Sequence, residues 1–218
     1  MSVTVEKVPA PTLTYAQCLA EGEINRRYEI LDGVRQWMSN PTVRHQDVLF
    51  NVAAALKSFG RESGQGRMVV AACDVLITDN PLRVRHPDVL FISHGRFGGR
   101  DPLDPDALDP APELVVEVLS PSDTRGVLSG KLRDYCSVDV RECWAVNLAP
   151  QTVEVLRLTP EGEQSVAVYG GGGSHTVVLL SQPLRPCHRR FCTVKMPHPQ
   201  ARPPSDRGAA GFSLPAGV

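Results

Sequence analysis

Apolar residues recur at Val48, Leu49, Val52, Ala55, Leu56 and Phe59, the three-and-four spacing of one helical face. The pattern predicts a long helix that follows Asn40-Pro41 and stops at Gly60. Upstream, Thr14 with Gln17 three residues on is a capping-box signature for a short first helix. Arg27–Met38 alternates around Asp32-Gly33, a two-residue hairpin signal between short strands. Met68–Ile77 and Val89–Ile92 read as strands separated by a turn at Asn80-Pro81. Glu113–Leu119 is a compact apolar strand ended by Ser120-Pro121-Ser122, and a helix around Leu128–Cys136 follows. Cys143–Leu148 and Thr152–Leu158 form a further strand pair, and Trp37 and Trp144 are expected in the core. The order of elements predicts an α/β fold, a mixed sheet flanked by helices.

The periodicity fails in two places. Gly98–Pro112 is a proline- and aspartate-rich loop, and its acids Asp101, Asp104, Asp106 and Asp109 read as solvated. Beyond Gly170 the chain turns to glycine, with one apolar patch at Val177–Leu180. From there to the end it is rich in Pro, Arg, Gly and Ser, a composition that buries too little apolar surface to order itself. The expected organisation is an extension at 1–13, one domain at 14–182 and a disordered basic tail at 183–218.

Charge sharpens that division. Of the net −1, the tail carries six Lys/Arg against the single Asp206, leaving the body clearly acidic. Composition alone therefore gives no nucleic-acid footprint outside the tail. The six cysteines include no CxxC pair, and Cys187, His188 and Cys192 lack the second ligand pair of a zinc site; reduced thiols are expected. No apolar run is long enough for a membrane span and the N-terminus lacks a signal pattern, so the expected setting is the cytoplasm.

Two carboxylates break the hydrophobic pattern. Asp88 follows His86-Pro87 and opens the strand Asp-Val-Leu-Phe-Ile. Glu117 stands in the middle of Leu-Val-Val-Glu-Val-Leu, where an ionised side chain is costly unless it is paired or ligates a metal. Taken singly, Glu117 also fits a structural ion pair with an arginine. Taken together, a Pro-Asp at one strand and an apolar strand bearing an acid resemble the outline of the PD-(D/E)XK nucleases, whose phosphodiester hydrolysis needs a divalent cation held by hard oxygen ligands.

The wider arrangement resembles the Uma-type restriction-endonuclease family, a bacterial branch of the PD-(D/E)XK nucleases. The resemblance rests on Arg27-Tyr-Glu-Ile-Leu-Asp-Gly33, His45 at the helix start, Pro87-Asp88-Val-Leu, Pro112-Glu-Leu-Val-Val-Glu-Val-Leu-Ser-Pro-Ser122, Lys131-Leu-Arg-Asp-Tyr135 and Glu142-Cys-Trp-Ala-Val146. It implies a restriction-endonuclease-like fold and an endonuclease that cuts DNA with Mg2+ or Mn2+. It further implies Asp88 and Glu117 as metal ligands with the Val118 carbonyl, and Glu29 as an additional acid. The motif's lysine position holds Leu119, and the resemblance assigns the lysine role to Lys131 in the following helix: orienting or deprotonating water, or stabilising charge. His45 could donate to a phosphate or to Glu29, or simply pack at the helix start; His86 is a similar case. Tyr135 fits core packing or a phosphate contact. Val127 and Asn147 stand where relatives often carry acids. A homodimer would pair two sites on a duplex. The alternatives are a catalytically inactive nucleic-acid-binding or assembly module, and a small-molecule phosphodiesterase.

Overall fold

The computed structural model describes residues 12–22, 24–70, 73–98, 111–120 and 123–170, and the backbone of 176–180 and 191–195. A six-stranded sheet runs in the order β10 (Gly162–Gly170), β9 (Thr152–Thr159), β8 (Glu142–Asn147), β7 (Leu114–Leu119), β6 (Val89–Ser93), β3 (Gly66–Val70). Only β7 and β8 in it run parallel, joined by the crossover helix α4 (Arg125–Ser137). A second, four-stranded sheet has the order β2 (Val34–Trp37), β1 (Tyr28–Leu31), β5 (Leu82–Arg85), β4 (Val75–Asp79). The architecture is mixed α/β, as expected.

Strand alternation divides the core between the two faces of the large sheet. Val89, Phe91, Leu114, Val116 and Val118 pack with Val48, Val52, Ala53 and Leu56 of α2 (Val43–Ser63). Leu90, Ile92, Val115 and Ala145 face the other way, onto Leu132 and Tyr135 of α4. Glu117 and Asp88 share the parity of this second face, and both are buried. A smaller cluster, Cys18, Ile30, Leu82 and Val84, closes the four-stranded sheet against α1 (Tyr15–Ala20), whose Thr14–Gln17 capping box forms as expected.

Several boundaries differ from expectation. The helix predicted to end at Gly60 continues to Ser63 and is capped by Gly64 at φ 63°. Gly60 serves packing instead: a Cβ there would sit 2.8 Å from the Gly66 carbonyl oxygen, so the helix needs glycine to approach β3. Met68–Ile77 is not one strand. Its first part is β3, paired with β6, and its last is β4, paired with β5 in the other sheet. Neither β5 nor β10 was expected, and α4 starts at Arg125, capped by Thr124, rather than near Leu128. Leu13 donates its N–H to Gly33 O at 3.0 Å, so the chain joins the fold just before Thr14. Trp37 is 48% exposed, whereas Trp144 is a core residue at 2%. The disorder expected over 183–218 does not hold at Phe191–Lys195, which forms β12 and pairs antiparallel with β11 (Thr176–Leu180). The remainder of that tail, the Asp101–Asp109 acids, Cys187 and His188 lie outside the described residues.

Candidate active site

The site forms where the chain passes from the small sheet to the large one. β5 ends at Arg85, and His86-Pro87-Asp88 then turns into β6. Asp88 N donates to Val116 O at 3.1 Å, which extends the β6–β7 register (Val89 opposite Val116) and sets Asp88 beside Glu117. The two strands thus present one carboxylate each to the face covered by α4.

Asp88 is held by three different groups. Arg27 Nη2 donates to Oδ1 at 2.9 Å, the Val118 N–H donates to Oδ2 at 2.8 Å, and His45 Nε2 lies 3.5 Å from Oδ2. Burial works to raise its pKa, but His45, the Val118 N–H and Arg27 outweigh burial and hold the carboxyl below its ordinary value. In an extended strand a residue's N–H and C=O leave on the same edge. The Val118 carbonyl therefore faces the Asp88 side.

Glu117 is surrounded differently. α4 brings Lys131, Asp134 and Tyr135 to one face by their three-and-four spacing. Lys131 Nζ donates to Glu117 Oε2 at 2.8 Å, and the Tyr135 hydroxyl donates to Oε1 at 2.5 Å. Burial still pushes Glu117 above the usual carboxylate value, with the Asp88 charge adding to it. Lys131 also lies 3.1 Å from Glu29 Oε1, although the angle leaves that oxygen without a hydrogen bond. Burial favours neutral Lys131, but Glu117 and Glu29 outweigh it and hold the ammonium charged. Glu29 itself is lowered against its burial by Lys131 and Arg85.

Behind this cluster stand Arg85, Arg83 and Asp134, which sequence reasoning passed over. Arg85 Nη1 donates to Glu29 Oε2 at 2.6 Å, and its Nε donates to Asp134 Oδ2 at 2.6 Å. Arg83 Nη1 reaches the same Asp134 carboxylate at 3.2 Å and Nη2 reaches Asp32 at 2.6 Å. A ladder of alternating charge thus ties β5, β1 and α4 together around Lys131. The signal was present in Leu82-Arg83-Val84-Arg85, whose alternation puts both arginines on one face.

A model of the Uma2 family, described as "Putative restriction endonuclease", matches residues 15–184. The chain belongs to the Uma2 family. Five solved chains match it in structure. One is a "putative nuclease belonging to DUF820" from Anabaena variabilis, with a TM-score of 0.59 at 16% identity, covering 77% of this chain and 89% of that one. At that identity the likeness concerns the fold, which is restriction-endonuclease-like. No curated protein matches the chain.

As a Uma2 chain, the protein brings together Asp88, Glu117, Glu29, Lys131 and Tyr135, five of the residues expected at its site. His45 joins them through Asp88 and not through Glu29. His86 does not: its Nε2 pairs with Asp74 at 2.6 Å on the other side of the chain. Leu119 packs in the α4-side core, and the lysine beside Glu117 is Lys131. Val127, one turn before Lys131, is exposed, and Asn147 ends β8 opposite Leu119. Among the described residues no three His, Cys, Asp or Glu side chains converge as a metal cage. Nor is any described helix long and apolar enough to cross a membrane.

Proposed function

We propose that the chain is a metal-dependent endonuclease hydrolysing phosphodiester bonds in DNA, acting in the cytoplasm. The observation that carries this reading is the pairing of Asp88 and Glu117 across β6 and β7 with the charged Lys131 between Glu117 and Glu29. The donor set suits a hard cation. Glu117 is pushed up partly by the neighbouring Asp88 charge, a repulsion that a divalent ion would relieve. Magnesium typically takes one or two carboxylates and completes its shell with water, so Asp88 and Glu117 suffice while Glu29 stays with Arg85 and Lys131. Asp88, Glu117 and the Val118 carbonyl would hold Mg2+ or Mn2+, which when bound polarises a phosphoryl oxygen and lowers the pKa of water.

The protein's own groups divide the remaining work. Lys131 stays protonated, so its part is to offset negative charge developing on the phosphoryl group rather than to take a proton from water. Tyr135 fixes Glu117 Oε1 and thereby the direction of the carboxylate. Arg85 occupies Glu29 Oε2, which keeps Glu29 from drawing Lys131 wholly to itself. Arg27 and the Val118 N–H fix Asp88 in its charged form.

One observation favours a second reading, the inactive binding or assembly module: Val127 stands exposed one turn before Lys131, where relatives often carry an acid. Supercoiled plasmid, single-stranded DNA and a small phosphodiester, each incubated with the purified chain and Mg2+, Mn2+ or a chelator, separate the readings. The nuclease cleaves with either metal, stops with the chelator, and is silenced by Glu117→Gln. Binding without cleavage under both metals supports the inactive module. Hydrolysis of a small phosphodiester alone points to a small-molecule enzyme.

A further inference from the structure

Arg27 precedes β1 by one residue, and its carbonyl accepts from Met38 N at 3.0 Å, which continues the hairpin. The alternation of Arg27-Tyr28-Glu29 sends Arg27 and Glu29 to one face, where Arg27 meets Asp88 and Glu29 meets Lys131. The cations of this face are not equally engaged. Lys131 is shared by Glu29 and Glu117, Arg85 by Glu29 and Asp134, and Arg83 by Asp32 and Asp134. Among the described residues Arg27 serves Asp88 alone, through the single contact of Nη2 with Oδ1 at 2.9 Å. Its Nε is buried without a hydrogen-bond partner, as are Glu29 Oε1 and His45 Nδ1 on either side of it. The Arg27 side chain is 26% exposed, against 10% for Lys131 and 6% for Arg85, so it forms the solvent side of the cluster. A guanidinium offers its N–H donors as a planar fork, and much of this fork is left over.

The two oxygens of Asp88 are also unequal. Oδ2 takes the Val118 N–H, which the β6–β7 pairing fixes in place, and faces the buried His45. Oδ1 takes only Arg27, the one partner on a long side chain that reaches solvent. Oδ1 is thus the oxygen whose donor can yield. Arg27 and a divalent ion are like charges competing for one carboxylate, so each weakens the hold of the other. A guanidinium released there suits the nonbridging oxygens of a phosphodiester, which match its fork in geometry and charge. The body of the chain is acidic, and the other cations of the cluster each already serve two carboxylates. We infer that Arg27 is the substrate-binding residue of this site: its fork moves from Asp88 Oδ1 to the nonbridging oxygens of the scissile phosphodiester when a divalent ion takes its place on the carboxylate. This rests on the nuclease reading of the Asp88 and Glu117 pair. It gives Arg27 a contact with the substrate itself, beyond holding Asp88 in its charged form.

Two binding measurements on the full-length chain test this without catalysis. Mn2+ uptake is followed by electron paramagnetic resonance. The Mn2+-loaded protein is then titrated with dimethyl phosphate, a phosphodiester without base or sugar, and phosphorus NMR line broadening reports phosphate beside the bound ion. Arg27→Gln removes the competing charge, so it should bind Mn2+ more tightly by up to about fivefold, the worth of one partly exposed ion pair. The same variant should bind dimethyl phosphate about tenfold more weakly or worse, the scale of a lost charge-assisted hydrogen bond. Arg27→Lys keeps the charge without the fork. It should bind Mn2+ as wild type does and fall between the other two proteins in phosphate affinity. An arginine that only orders Asp88 predicts the opposite sign for the metal, so weaker Mn2+ binding by Arg27→Gln overturns the inference. Phosphate affinity equal to wild type in either variant overturns it too, as does a Mn2+-loaded wild type that broadens no phosphate signal. Mn2+ uptake by each variant shows that its site is folded, and Arg27→Lys carries the phosphate test alone should Arg27→Gln not fold. A wild type that takes up no Mn2+ rejects the nuclease reading and this inference with it, whereas Mn2+ uptake without the Arg27 effects rejects the inference alone.

Discussion

Asp88 and Glu117 occupy adjacent positions on neighbouring strands and are buried to the same degree, yet their surroundings drive them in opposite directions. Asp88 faces a backbone N–H, an arginine that remains partly exposed and an imidazole, and it is stabilised as an anion. Glu117 faces a buried ammonium already shared with Glu29, a phenol and the Asp88 charge, and it resists ionisation. What differs is the number of claimants on each donor. A carboxylate with its own donors pays for burial; one that shares its cation with another acid does not. Within this account Asp88 anchors the metal position, and Glu117 is the ligand whose charge a bound cation completes.

The comparison is most sharply broken by removing the shared cation. Lys131→Met should lower turnover by about a hundredfold or more, the scale of a lost charge-stabilising group. It should also destabilise the apo fold by about 3–5 kcal/mol, since Glu117 and Glu29 lose their buried partner. Saturating Mn2+ should recover part of that loss by supplying a cation to Glu117. A Lys131→Met enzyme that melts and cuts like wild type would remove Lys131 from both roles.

Asn and Gln exchanges separate the two acids. Asp88→Asn should cost about 1–3 kcal/mol in the apo protein, because a charge-assisted set of hydrogen bonds is lost. Glu117→Gln should leave the apo protein as stable as wild type, or more so, near neutral pH. Repulsion between the two acids alone would predict a gain for both, and the Arg27 and Val118 N–H contacts of Asp88 are why it does not apply there. Chemical denaturation of the three proteins in chelator gives the ranking. Tyr135→Phe should have a smaller effect, about 1 kcal/mol or slightly more, from one neutral donor lost at Glu117 Oε1.

The pH dependence should show both signs. Asp88 and Glu29 have lowered pKa values, so their stabilisation is present above the ordinary carboxylate range of about 4 and is lost as pH falls through their folded values. Glu117 is raised, so its contribution is fullest below its unfolded value and declines as pH rises toward its folded one. Melting temperature should therefore fall at the acid end and also soften above the carboxylate range. Glu117→Gln should remove only the upper decline.

Much of this frame was legible in the residues themselves. The Asp32-Gly33 turn adopts φ 53° and 76°, as a two-residue hairpin demands. The apolar run around Glu117 forms the central parallel strand, and the helix carrying Lys131 follows it. The misses share a cause: each depended on contacts distant in sequence. Gly60 looks like a stop until Gly66 is found against it. Trp37 reads as core because its hydrophobicity does not record that β2 is an edge strand. The alternation of Leu82-Arg83-Val84-Arg85 marks an arginine face, but Asp134 lies 49 residues from Arg85, so nothing local marks the partner through which Arg85 ties α4 to Glu29.

The central claim is that Asp88 and Glu117 together hold a divalent cation, and Mn2+ binding followed by electron paramagnetic resonance tests it without relying on catalysis. Wild type should take up Mn2+ saturably, with Mg2+ competing. Asp88→Asn should bind far more weakly, and Asp88→Asn/Glu117→Gln should bind none while remaining folded. A folded double variant that binds Mn2+ as wild type does would contradict the account.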